Sequence, residues 1–84
     1  MVRKKLFRKV VKLVFPQELI KKPVTFRMAK KYDIIPNIRR AKVTETVGEV
    51  VLELDGDEKN VRDGIKYLKK QGVVVEPIEG DIVD

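Results

Sequence analysis

Two stretches in the middle of the chain lie back to back and read as strands: Ile35–Val43, which alternates polar and apolar from Arg40 on, then Glu49–Leu54, whose Val50, Leu52 and Leu54 share one face, with Val47-Gly48 between them. A period of two marks a strand, because successive side chains leave a strand on opposite faces. The pair therefore predicts an antiparallel hairpin. Helical periodicity flanks it on both sides, and a further strand lies beyond each helix. A hairpin in that position leaves few folds open, because the element order becomes β-α-β-β-α-β.

The first strand runs from Val10, with Val11, Leu13 and Phe15 in the inward phase and Pro16 ending it. Val24, Met28 and Tyr32 recur at i, i+4 and i+8 and make one buried helical stripe. Pro23 suits the first helical position, where its missing N–H costs nothing. Phe26 lies off that stripe and is expected either to fold onto Lys30 or to mark a contact surface. In the second helix Asp57 is the expected N-cap, and Val61, Ile65 and Leu68 form the stripe. Lys69 and Lys70 favour its negative end, and Gly72 closes it. Gly64 costs the helix about 1 kcal/mol, which points to a close approach to the sheet. Val73–Ile78 is the last strand.

Right-handed crossovers make each helix-linked pair of strands parallel, with a gap that the other unit fills. The fold expected is α+β: a ferredoxin-like βαββαβ two-layer sandwich. Its four-stranded antiparallel sheet has the order 4-1-3-2, with both helices on one face. Pro36 and Pro77 then fall on edge strands, where a missing ladder donor is tolerated. Residues 1–9 are a basic lead-in, 10–79 the domain, and 80–84 an acidic tail.

The second strand carries a conflict. Ala41 and Val43 are expected to face the core, which turns Arg39 inward as well unless a bulge near Asn37 shifts the phase. A turn centred near Thr46-Val47 sets Arg40 across from Glu53 and Thr44 across from Glu49. The open face of the sheet then shows Val10, Lys12, Val14, Ile38, Arg40, Lys42, Val51 and Glu53. That face is half apolar, and with two edge strands it invites a second copy. A homodimer is expected, with Phe26, Arg40, Lys42 and Val51 as interface residues.

Composition narrows the chemistry. The 84 residues contain no Cys, His or Ser. Most nucleophile–base arrangements and the usual zinc or iron–sulfur ligand sets are thereby excluded, so neither an enzyme nor a cofactor is expected. No apolar run approaches the length of a membrane span, and no signal peptide is recognisable; the chain is expected to be cytoplasmic. Abundant Lys, Arg and Glu with few Asn and Gln suit a thermophilic source. The first 42 residues carry 14 Lys and Arg against 2 Asp and Glu, the last 42 carry 5 against 11. Interleaved strands neutralise that asymmetry, setting basic strand two beside acidic strand three. RNA-binding domains of this architecture use aromatic residues on the two central strands. Here those strands offer Lys12, Val51 and Glu53, so nucleic acid is not the expected partner. The N-terminal cluster Arg3, Lys4, Lys5, Arg8 and Lys9 is expected to be a solvated arm.

Pro36-Asn37-Ile38-Arg39 resembles the second strand of the NIL domain, a family named for an Asn-Ile-Leu run there. Leu13-Val14-Phe15-Pro16 resembles its first strand, Lys22 through Asp33 its first helix, and Val50 through Gly56 its third strand. Tyr67-Leu68 with Gln71-Gly72-Val73 resembles the end of its second helix. The resemblance spans roughly residues 10–79. It implies a ferredoxin-like regulatory domain of the kind found in methionine ABC-importer ATPases, where it binds methionine and restrains transport. It also implies kinship with domains that precede iron–sulfur segments in small ferredoxin-type proteins, and the sequence looks closer to this second group. Val75–Glu79 and Asp81–Val83 are similar to the stretch leading into those clusters, and the chain then reads as a stand-alone protein or a domain of a longer one. Carried over by motif, Asn37, Ile38 and Arg39 are the expected ligand-binding residues. Arg39 stands where the family has Leu, which puts methionine specificity in question and offers a guanidinium to a carboxylate.

Two readings follow. One is a module that senses a small amino acid such as methionine, tied to sulfur amino-acid transport or metabolism, with an ABC-transporter or iron–sulfur partner. The other is a protein-interaction and dimerisation domain without a small ligand.

Overall fold

The computed structural model describes residues 7–78. The elements are β1 (Phe7–Phe15), a 3-10 turn (Gln17–Leu19), α1 (Val24–Tyr32), β2 (Ile35–Val43), β3 (Gly48–Gly56), α2 (Glu58–Gln71) and β4 (Val74–Pro77). The sheet order is β2-β3-β1-β4, every neighbouring pair antiparallel. This is the expected βαββαβ sandwich.

β1 begins at Phe7 rather than Val10, because the nine-residue β3 offers partners along the whole stretch, down to Phe7↔Gly56 and Arg8↔Asp55. Arg8 and Lys9 therefore belong to the sheet and not to a solvated arm. The rest of the basic cluster, Glu79 and the acidic tail 80–84 lie outside the described residues.

One face of the sheet makes the core. Val11 and Leu13 of β1 and Leu52 and Leu54 of β3 are buried there with Val24 and Met28 of α1, Val61 and Leu68 of α2, Ile34 and Val73. α2 packs on β1, β3, β4 and α1, whereas β2 takes its principal contacts from β3. That explains a correction at Ala41 and Val43. Both occupy the inward phase, opposite Val50 and Gly48, yet both are exposed, because the helical layer does not extend over the outer end of β2.

The helix ends follow local chemistry. Pro23 is the N-cap of α1, one position earlier than expected. Asp33 closes α1 in the left-handed region at φ 55°, and its N–H donates to the Ala29 carbonyl. Gly72 closes α2 at φ 105°, a conformation that costs glycine nothing. Asp57 caps α2, its side chain accepting from the Lys59 N–H at 3.4 Å. Asp57→Ala is expected to lower stability by about 1 kcal/mol. The check is a lower urea midpoint with an unchanged slope.

Candidate functional site

The open face is shaped by one irregularity. β2 and β3 stay in register through Ile38↔Leu52 and resume at Arg40↔Val51, leaving Arg39 as the extra residue of a bulge. Residues directly opposite one another share a face. Asn37, opposite Glu53, and Arg40, opposite Val51, therefore lie on the open face. The Arg39 guanidinium also reaches that face, where Nη1 donates to Glu53 Oε2 at 3.0 Å. The bulge thus sits at Arg39 rather than near Asn37, and it sets two arginines side by side.

The same register corrects two expectations. Ile38, placed on the open face by simple alternation, lies opposite buried Leu52 on the helix side and is 69 % exposed. Arg40 faces Val51 rather than Glu53, and Lys42, not Thr44, faces Glu49. The cause is the turn. Thr44 Oγ1 accepts from the N–H groups of Thr46 and Val47, and the Thr44 N–H donates to the Val47 carbonyl. This local closure draws Val43 directly opposite Gly48.

Arg39 and Arg40 border a shallow groove of about 460 Å³ whose remaining lining is Val10, Val51 and Ile78. Ile78 is brought there by its N–H, which donates to the Val10 carbonyl just beyond β4. Glu53 adjoins the groove, since it lies opposite Val10 as well as bonding Arg39. A charged ladder continues from it across three strands. Arg8 holds Asp55 with both carboxylate oxygens, Nε to Oδ1 at 2.8 Å and Nη2 to Oδ2 at 3.2 Å, and lies 3.5 Å from Glu53. The hydrogen bond and charge of Asp55, then the charge of Glu53, push the Arg8 pKa above its ordinary value, against a smaller desolvation effect. Asp55 is the one buried charged side chain among the described residues, and this fork satisfies it.

Of the expected ligand residues, Asn37 and Arg39 come together on the open face and Ile38 does not. Of the expected interface residues, Arg40, Lys42 and Val51 share the open face. Phe26 is apart, on α1, 64 % exposed with Lys30 Nζ 5.9 Å from its ring centroid. It borders a separate hollow of about 180 Å³ with Phe15, Ile20 and Val50. Sequence reasoning passed over Arg8 as a site residue. Its signal was present, because Arg8 continues the phase of Val10, Lys12 and Val14. Among the described residues no cluster of three or more acidic side chains could hold a metal ion, and no helix is long and apolar enough to cross a membrane.

This geometry meets independent likenesses. The family model for the NIL domain matches residues 9–77. The methionine import ATP-binding protein MetN 1 of Listeria monocytogenes is 33 % identical over 75 residues, which is 84 % of this chain and 22 % of that protein. MetN of Bacillus subtilis is 28 % identical over 74 residues, 83 % of this chain and 22 % of its own length. The chain therefore spans about a fifth of the curated relatives it matches. Among solved structures, the C-terminal domain of an ABC transporter ATP-binding protein from Enterococcus faecalis superposes with a TM-score of 0.78 at 28 % identity, covering 87 % of this chain and 86 % of that one. By sequence and by fold, the chain belongs to the NIL-domain family.

Proposed function

We propose that this chain is a regulatory domain linked to methionine transport, and that it senses an amino acid on the open face of its sheet. Its relatives are methionine import ATP-binding proteins. The observation that carries the ligand reading is the bulge at Arg39, which sets Arg39 and Arg40 beside an apolar floor of Val10, Val51 and Ile78. An amino acid fits that set by its three chemical parts. Arg40, which makes no ion pair among the described residues, takes the α-carboxylate. Glu53 takes the α-ammonium at the groove's rim. The unbranched side chain lies on the valines and Ile78. The domain works by binding rather than catalysis, in the cytoplasm, and its open face seats a second copy whose own Val10, Val14 and Val51 complete the cover.

Titration calorimetry with L-methionine and its homologues tests the ligand. Saturable heat and a raised Tm are expected, and Arg40→Ala should weaken binding about tenfold or more, as the loss of a charge-assisted hydrogen bond does. Absence of heat and of thermal shift with every amino acid tried overturns the ligand reading. Sedimentation over a concentration series tests the second copy separately, a strictly monomeric chain counting against it.

A further inference from the structure

We propose that the free edge of β2 is a docking edge for an extended acidic segment of another protein, which joins the sheet as an additional strand. The edge is open by topology. β2 ends the sheet on one side, so one row of its backbone groups meets no other strand among the described residues. Edges are guarded by shortness, Pro, bulges and charged side chains. β4, at the opposite border, has four residues and contains Pro77. β2 carries Pro36, the bulge at Arg39 and the cations beside it, yet it is nine residues long and exposes Ile35, Ile38 and Val43, each by more than half.

The chemistry of the occupant is written in the two rows of β2. The open-face row is Asn37, Arg39, Arg40 and Lys42, with Ile35 at its start; the helix-side row is Pro36, Ile38, Ala41 and Val43. On its filled side β3 answers both rows. Glu53 and Glu49 lie opposite Asn37 and Lys42, Glu53 bonding Arg39, while Leu52 and Val50 lie opposite Ile38 and Ala41. Arg40 receives only Val51, and neither Arg40 nor Lys42 makes an ion pair among the described residues. A strand added to the free side finds the same demand, for carboxylates on one face and apolar side chains on the other. Backbone hydrogen bonds along the edge supply affinity, and the alternating side chains supply selection.

The same cations refuse other occupants. Two β2 edges meeting antiparallel about a two-fold axis set Arg39, Arg40 and Lys42 of one copy against those of its partner. A neutral strand leaves Arg40 and Lys42 without carboxylates. Selection for an acidic strand thus includes a repulsive element.

The probe is a fluorescein-labelled peptide with the β3 sequence GEVVLELDG, the segment that already satisfies one side of β2. Its control carries Lys at each acidic position. Anisotropy titration of the full chain should give saturable binding of the acidic peptide, about tenfold tighter than the control at low salt and weaker in about 0.5 M salt. Arg40→Glu with Lys42→Glu should reverse the preference between the peptides, with far-UV circular dichroism showing the doubly substituted chain folded. Amide exchange should slow along β2 in the complex. Equal binding of both peptides overturns the proposal, as does no binding, or protection confined to β4 or the helices. Exposure of β3 amides means that the peptide has replaced β3, which also overturns it. Slowed exchange along β2 without peptide, rising with chain concentration, assigns the edge to a second copy instead.

Discussion

Leu13→Ala is expected to lower the unfolding free energy by about 3 kcal/mol, the ordinary cost of truncating a fully buried leucine. Leu13 has no exposed surface and sits on a central strand, with Val50 and Val75 as its neighbours on β3 and β4. In a domain of this size each kcal/mol moves Tm by roughly 4–8 °C, so the variant should melt more than about 12 °C lower. Val14, the next residue, lies on the open face opposite Glu49 and Val74. Val14→Ala should cost less than about 1 kcal/mol, because it removes contacts from a half-buried surface. Equal losses at the two positions would contradict a core confined to one side of the sheet.

Gly64→Val is expected to cost about 3 kcal/mol, through overpacking and the added stiffness of a β-branched residue in a helix. A Cβ at Gly64 would stand 2.5 Å from Ile34 Cδ1 and 2.8 Å from Met28 Sδ. Both atoms belong to flexible side chains, but both side chains are buried, so any retreat must disturb the core. Gly64→Ala meets the same atoms and recovers about 1 kcal/mol of helix propensity. It should therefore be the milder change by a clear margin. Denaturant titration of both variants settles the order, and a Gly64→Val chain within about 0.5 kcal/mol of the original would refute the close approach of α2 to Ile34 and Met28.

The fold was legible because its main signals are local and agree with one another. Leu13, Leu52 and Leu54 declare inward strand faces by alternation, Val24 with Met28 and Val61 with Leu68 declare helix faces, and Asp57 and Gly72 mark where a helix starts and stops. The topology then followed from handedness. The candidate site was less legible because it depends on one inserted residue. A bulge at Arg39 changes which side every residue before it takes, so Ile38 moves to the helix side while Asn37 and Arg39 share the open face. The inward phase forced on Arg39 by Ala41 and Val43 hinted at it, but alternation alone treats Arg39 and Arg40 as opposites. Register was missed for a related reason. The Thr44 hydroxyl closes the hairpin turn, and a hydroxyl-to-backbone bond leaves no periodic trace. The exposure of Ala41 and Val43 reflects the width of the helical layer, a tertiary quantity that the pattern of one strand does not contain.

Tyr32 and Tyr67 meet across α1 and α2 with ring centroids 5.8 Å apart, and Lys31 Nζ lies 5.6 Å and 5.4 Å from the two rings. The chain has no Trp and no other Tyr. Its intrinsic ultraviolet emission therefore originates at one helix–helix contact, on the opposite side of the sheet from the groove. That optical signal reports loss of helix packing on denaturation and stays nearly blind to occupancy of the arginine-lined face, so an unchanged spectrum on adding an amino acid is the expected reading even at saturation.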